Sequence, residues 1–463
     1  LKEQIVENVR IVDIADKGMS IGKDAQGQVY MVERLIPGDR ADVRIFKKRK
    51  GIKYAAPHVV HEWSAHRTTP FCEHFGVCGG CKWQHMAYSA QLSYKEQTVY
   101  NAIKRIAKTD VPEMYPILGC EVDRYYRNKM EYSFSNKRWL TEAEMNTEIT
   151  NPNALGFHRP GSFDKVVDIQ KCHLQDEFAN EIRNMVRAVA QQEGFTFFDL
   201  KAQHGLLRNL MIRNTTLGEW MVVVVFFEPN MEHIHTVLDA IHTAFPQITS
   251  LQYIINQKKN DSIYDQEVIC YKGRDHIIEK LGDIQYKVSA KSFFQTNSMQ
   301  AKRLYDITAK FAGLTGSENV YDLYTGTGSI ALYLANYAQS VVGIEEVEAA
   351  VIDARANMEL NDIENTTFYV GDVKDILTEA FAATHGKPDV LITDPPRAGM
   401  HEKVVHMLLE LEAPKIVYVS CNPATQARDI ALLESKYYLQ AIQPVDMFPH
   451  THHIENVALL IKR

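Results

Sequence analysis

No stretch of this 463-residue sequence stays apolar for long enough to cross a bilayer. The longest apolar run, WMVVVVFF at 220–227, is less than half of the roughly 20 residues that a spanning helix needs. The first residues, LKEQIVENVR, lack the apolar centre of a secretory signal, so a cytoplasmic protein with no membrane partner is expected. Cysteine is scarce: seven residues, an odd number, three of them crowded into 72–81. That pattern speaks against a disulfide framework and suits ligands or nucleophiles in a reducing compartment. A global excess of positive charge is also missing, the formal net charge being −7. Recognition of nucleic acid by bulk charge is thereby excluded, but recognition by a local patch is not. Repeats and low-complexity segments are not seen either. With 45% hydrophobic and 24% charged residues, the composition is that of folded domains, and the length allows two or three of them.

What is present divides into three parts. Residues 1–57 read as short strands punctuated by glycines, which predicts a small OB-like β-barrel or, failing that, a hairpin extension of the next domain. Residues 58–280 mix strands such as YYRNKMEYSFS and LRNLMIRN with amphipathic helices such as QDEFANEIRNMVRAVAQQEG, an α+β middle domain holding the cysteine cluster. Residues 281–463 alternate strand and helix, the pattern of a doubly wound, Rossmann-like α/β domain whose ligands lie beyond the carboxyl ends of its strands.

The chemistry-bearing residues of this last part fall at those ends. VYDLYTGTGSIALYLA (320–335) is a strand, a glycine turn and a helix, in which Gly326 and Gly328 let the backbone approach a ligand. Glu345 ends the next strand, where a carboxylate can accept both hydroxyls of a ribose. Asp372 follows the third strand and is either an adenine contact or a helix N-cap. Tyr324 packs on the ligand or in the core. The loop indicates an adenosine-type ligand, and because GTGSIA also fits a dinucleotide fingerprint, a nicotinamide oxidoreductase stays open.

Two further strands end in reactive residues. LITDPPRAGM (391–400) halts at Asp394 before two prolines that fix the backbone and aim the carboxylate into the cleft. Amino-group methyltransferases carry an aromatic residue where this sequence has Arg397, which argues against a base amine as target. VYVSCNPATQARDI (417–430) then ends the neighbouring strand in Cys421. A lone cysteine is more often structural, but one at a strand tip beside DPP suits covalent activation of a pyrimidine. A thiolate adding to C6 makes C5 electron-rich, and a base later removes the C5 proton so that sulfur can leave. Glu455, at the start of the last strand in HTHHIENVALLIKR, is the candidate base.

With VSCNPATQARDI and DMFPHTHHIENVALL in view, the chain resembles the RNA 5-methyluridine methyltransferase family along essentially its whole length. The resemblance implies an S-adenosyl-L-methionine-dependent class I methyltransferase domain, with Cys421 as nucleophile and Glu455 as proton acceptor. It also implies that Gln295 in SFFQTNSMQA, with Tyr324, Gly326, Gly328, Ser329, Glu345, Asp372 and Asp394, lines the cofactor and base pocket. Ser329 stands where the family often has Asn.

Cys72, Cys78 and Cys81 are spaced C-x5-C-x2-C, and DIQKCHLQ offers Cys172 as a fourth soft ligand; spacing alone leaves zinc and an iron–sulfur cluster both open. The RumA-like branch of the family resembles this pattern and carries a [4Fe-4S] cluster on four such cysteines, which implies ribosomal RNA (23S) as substrate ahead of transfer RNA. Cys120 and Cys270 read as core. The amino-terminal barrel resembles a TRAM domain, with Lys47, Lys48 and Arg49 as a phosphate-facing patch. Arg124, Arg127 and Lys129, interleaved with Tyr125 and Tyr126, suit phosphate contact and base stacking. A monomer is expected. A non-catalytic iron–sulfur RNA-binding factor is the alternative from another class.

Overall fold

The computed structural model describes residues 4–110, 113–141, 144–145, 147–148 and 151–463. Its amino-terminal part is a closed barrel of five strands, Gln4–Ile14, Ser20–Lys23, Val29–Val32, Ile52–Glu62 and Arg40–Arg49 in spatial order. Along Arg40–Arg49 the inward residues Ala41, Val43 and Ile45 alternate with outward ones until the register shifts after Ile45. Beyond that point Lys47, Lys48 and Arg49 are all exposed. The barrel runs to Glu62, past the expected boundary at 57, because Arg40 to Arg49 pairs along the whole of Ile52–Glu62.

The middle part holds a seven-stranded sheet in the order Ile269–Gly273, Ser250–Ile255, Trp220–Phe226, Leu207–Asn214, Lys129–Ser135, Ala154–His158 and Val166–Asp168. Helices Glu177–Gln192 and Met231–Ala244 bury Ile182, Val186, Ile234 and Val237 in one cluster with its strands. Cys270, expected in the core, lies instead on the edge strand with its side chain exposed. Cys120 is half-buried.

The carboxyl-terminal sheet has eight strands: Thr366–Val370, Ser340–Glu345, Asn319–Leu323, Val390–Thr393, Lys415–Ser420, Glu455–Lys462, Tyr437–Val445 and Glu113–Met114. The first five are parallel, and the order reverses at Asn319–Leu323, whose neighbours are Ser340–Glu345 and Val390–Thr393. Such a switch point opens a crevice at the carboxyl edge. Two pieces assigned from sequence to the middle domain belong here. Helix Tyr88–Ala102 and the turn after it bury Val99, Ala102, Ile103 and Ala107 against this sheet's cluster, and Glu113–Met114 adds its edge strand. The hairpin His276–Leu281 and Ile284–Ser289 straddles the expected boundary at 280, its Ile277, Tyr286 and Val288 joining both sheets into one core.

Candidate active site

Strand pairing decides which side chains meet. Thr393 lies opposite Tyr418, and Ser420 opposite Asn456, so Asp394, Cys421 and Glu455 emerge side by side at the ends of three adjacent strands. The Asn422 side chain caps the helix Pro423–Leu433, accepting the Ala424 N–H at 3.1 Å, and its amide donates to the Arg397 carbonyl at 2.9 Å. Thr425 Oγ1 donates to the same carbonyl at 3.2 Å. The loop after Asp394 and the loop bearing Cys421 are thus tied together.

Burial pushes the Cys421 thiol up to about 11, and the charges of Glu455 and Asp394 add to that effect. The positive charge of Arg397 acts the other way. Glu455 is 7% exposed, and burial with Asp394 nearby holds its carboxyl well above the ordinary range. Asp394 is half-buried and pushed up to about 7, by desolvation first and by Asp322 second. The cleft therefore stores carboxyl groups that hold their protons unusually well, around a thiol that one guanidinium helps to ionise.

The adjoining glycine loop is open where a ligand would press on it. Gly326 has φ 57°, and a Cβ there would meet nothing within 4 Å. Gly328 has φ 76°, and a Cβ would strike Phe368 at 2.8 Å, so this second glycine serves close packing. Glu345 accepts the N–H groups of Gly326 at 3.0 Å and Val347 at 2.9 Å, which fixes its carboxylate at the mouth of the loop. Tyr324 is half-buried with φ 64°, a strained value for a tyrosine. The Ser329 hydroxyl is already engaged by Tyr305 Oη at 3.0 Å. Asp372 is the N-cap of Val373–Ile376, accepting the Lys374 N–H at 3.1 Å, and its carboxyl is held down by the Lys374 ammonium. Gln295 is half-buried, and its backbone carbonyl accepts the Asn128 amide at 2.9 Å.

Cys72, Cys78, Cys81 and Cys172 line a single cavity of about 570 Å³. Burial raises all four thiols, Cys78 and Cys81 to about 12, and the charge of Cys172 adds to the rise at the other three. Among the described residues, no three His, Cys, Asp or Glu side chains are drawn together around one ion. Arg127 and Lys129, expected on an RNA-facing surface, are half-buried and line this cavity. Lys129 pairs with Glu131 at 2.5 Å and Arg127 stacks 5.5 Å from the Phe448 ring. Tyr126 is likewise held, its hydroxyl donating to the Pro449 carbonyl at 3.0 Å. Arg124 and Tyr125 remain exposed, Arg124 over the Phe71 ring at 4.5 Å.

A profile of the tRNA (uracil-5-)-methyltransferase family matches residues 200–463. An RNA methyltransferase of Bacteroides thetaiotaomicron is 52% identical over 454 residues, covering 96% of this chain and 99% of its own length. One from Porphyromonas gingivalis is 52% identical over 464 residues, covering 98% and 99%. The chain belongs to the tRNA (uracil-5-)-methyltransferase family. Among solved structures, the tRNA (uracil-54, C5)-methyltransferase of Pyrococcus abyssi in complex with S-adenosyl-L-homocysteine is similar at a TM-score of 0.76 and 28% identity, covering 98% of this chain and 99% of that one.

Within this uracil-5-methyltransferase fold, three residues of the site are not evident from sequence. Asp322 is buried on the strand before the glycine loop; one oxygen accepts Thr325 Oγ1 at 2.5 Å and the other has no hydrogen-bond partner. Burial pushes it up to about 7. Its one signal is an acid two residues ahead of Tyr324. Phe293 is 68% exposed, and its backbone carbonyl lies 3.5 Å from Thr327 Oγ1, which brings this segment to the glycine loop. Arg397 stands out in the sequence only as a departure from an aromatic pattern, yet it is the cation facing Cys421.

Proposed function

We propose that this protein methylates carbon 5 of uridine in RNA, with 23S ribosomal RNA as the substrate. The observation that supports this most is the register that sets Cys421 beside Glu455, with Asp394 on the next strand. S-adenosylmethionine, when bound, supplies an electrophilic methyl group on a sulfonium. The open face of Gly326, the anchored Glu345 and the unpartnered oxygen of Asp322 suit its ribose and polar tail.

Cys421 Sγ, as the thiolate, adds to C6 of the uracil, and the electron pair moves to C5 and the O4 enolate. Arg397 favours the thiolate at this stage. C5 then takes the methyl group, leaving one proton too many on that carbon. The Glu455 carboxylate accepts that proton, the C5–C6 double bond reforms and the C6–S bond breaks. A carboxyl held well above its ordinary range is a strong base once ionised, which suits abstraction from carbon. The uridine must leave its stack to reach the sulfur, and the exposed Phe293 ring offers a surface for it.

The four-cysteine cavity is the proposed seat of a [4Fe-4S] cluster. Four cysteines lining one cavity are the thiolate set that such a cluster takes. Anaerobically purified protein should be brown and contain iron and sulfide; colourless protein with stoichiometric zinc overturns this. The barrel, read as a TRAM domain, contributes Lys47, Lys48 and Arg49 to RNA binding.

The deciding experiment replaces Cys421 with alanine. Methylation of ribosomal RNA fragments and covalent trapping of 5-fluorouridine RNA should both disappear, and retained turnover overturns the proposal. The solved neighbour from Pyrococcus abyssi favours a second reading, transfer RNA as substrate. Parallel assays on unmodified 23S ribosomal RNA and transfer RNA transcripts distinguish the two.

A further inference from the structure

His450 has φ 64°, a left-handed conformation that a non-glycine residue holds only when its surroundings impose it. Two distant parts of the chain do so. Gln91, fully buried on the Tyr88–Ala102 helix, accepts the His450 N–H at 2.8 Å through its side-chain oxygen. The His450 carbonyl accepts the N–H groups of Lys82 at 2.8 Å and Trp83 at 3.0 Å, the residues that directly follow Cys81. The Gln91 amide nitrogen closes this ring by donating to the carbonyls of Trp83 at 3.1 Å and Met86 at 2.9 Å, and it faces His450 Nδ1 at 3.2 Å. Both ends of the Gln91 amide are used, and an apolar replacement takes away the acceptor of the His450 N–H and the side-chain donor to the Met86 carbonyl.

The clamped residue sits in the loop 446–454, which joins the strand Tyr437–Val445 to the strand that begins at Glu455. The root of the loop is fixed by the same helix: Asp446 accepts Lys95 Nζ at 2.6 Å and Tyr88 Oη at 2.8 Å. Past His450, Thr451 Oγ1 donates to the Phe448 carbonyl at 2.8 Å and accepts the His453 N–H at 3.2 Å. Little slack is left between the clamp and the carboxylate. The barrel closes on the same loop, since a Cβ at Gly18 would stand 2.8 Å from His452 Cβ.

We propose that Gln91 is a positioning residue for Glu455, setting the loop that delivers the carboxylate and joining it mechanically to the cysteine loop. The inference rests on the role of Glu455 as the base. Gln91 lies outside the cleft, so its loss slows proton removal while RNA binding and methyl transfer persist.

The test compares Gln91→Leu and Gln91→Glu with the wild type, each checked for folding by circular dichroism. For Gln91→Leu, KM for RNA should stay within about twofold while kcat falls at least about tenfold, the scale of a small misplacement of a reacting group. A methylated RNA–protein adduct should accumulate on denaturing gels. Gln91→Glu keeps the acceptor for the His450 N–H and should recover part of kcat. A folded Gln91→Leu enzyme with wild-type kcat, or with reduced kcat and no adduct, overturns the proposal. If the leucine variant does not fold, the glutamate variant carries the same test with a smaller accumulation. A Glu455→Gln variant that accumulates no methylated adduct on unmodified RNA removes the base reading itself. A methylated adduct in Glu455→Gln with unaffected Gln91 variants removes only the positioning role.

Discussion

Cys421 and the four cavity cysteines face the same obstacle and are given different remedies. Burial raises each thiol, to about 11 in the cleft and to about 12 at Cys78 and Cys81. In the cleft, Arg397 opposes that rise against two carboxyl groups that reinforce it. In the cavity, the charges of neighbouring cysteines push the thiols further up. A nucleophile needs to be ionised only while it attacks, and a nearby guanidinium supplies a bias of that modest size. A ligand thiol stays ionised for the life of the site, which only the charge of bound metal can sustain against burial and mutual repulsion. On the proposed reading, the four cavity cysteines and the one at a strand tip are two different devices.

Exchanging sulfur for oxygen at each place breaks the comparison most severely. Cys421→Ser should lower turnover by at least about 10³-fold, because an alcohol is scarcely ionised, while the melting temperature moves by no more than about 2 °C. Cys78→Ser should do the reverse: loss of iron and colour and a melting temperature lower by about 5 °C or more, with some turnover left in the folded fraction. Iron analysis, calorimetry and a methylation assay on both variants check this. Equal melting temperatures would show that the cavity cysteines do not hold a stabilising metal.

Arg397→Met gives the next largest effect. Without the guanidinium the Cys421 thiol rises further above about 11, and near neutral pH the thiolate population falls in proportion to the weakened acidity. Adduct formation with 5-fluorouridine RNA should slow by about tenfold near pH 7 and recover as pH increases, its profile displaced to higher pH. A profile in the wild-type position would mean that the thiol is ionised by some other group.

These contrasts also mark what the sequence discloses. Strand tips are legible because an apolar run that stops at Asp-Pro-Pro or Cys-Asn-Pro leaves its last polar residue at the sheet edge, and one sheet then brings Asp394, Cys421 and Glu455 together. The loop with Gly326 and Gly328 is legible for the same local reason. Sequence alone misplaces the helix Tyr88–Ala102 because its buried face includes Gln91 and Lys95. These read as surface residues until Asp446 and His450, more than 350 positions away, are seen to receive them. Arg127 and Lys129 read as RNA contacts from charge alone, and no local pattern shows that they line a cavity. Asp372 suits cap and ligand equally in the sequence, and the fold shows its cap geometry.

The smallest effect concerns the cost of placing Asp394 in the cleft. Its folded-state value of about 7 stands above the ordinary 3.8, so the folded protein keeps a proton that the unfolded chain releases between these two values. Stability from this group is present below about pH 4 and is lost as pH rises to about 7. Asp394→Asn has no such proton. Its melting temperature should gain on the wild type between about pH 5 and pH 8, by an amount equivalent to about 1–2 kcal/mol. The gain stays below what the full displacement implies, because the carboxyl is half-buried and its titration is coupled to that of Asp322. Methylation should fall in the same variant, because an amide lacks the carboxyl chemistry that the cleft maintains. A gain in stability without a loss of activity would place Asp394 outside the reaction, and loss of activity with no pH-dependent gain would mean that its carboxyl is already ionised at neutral pH.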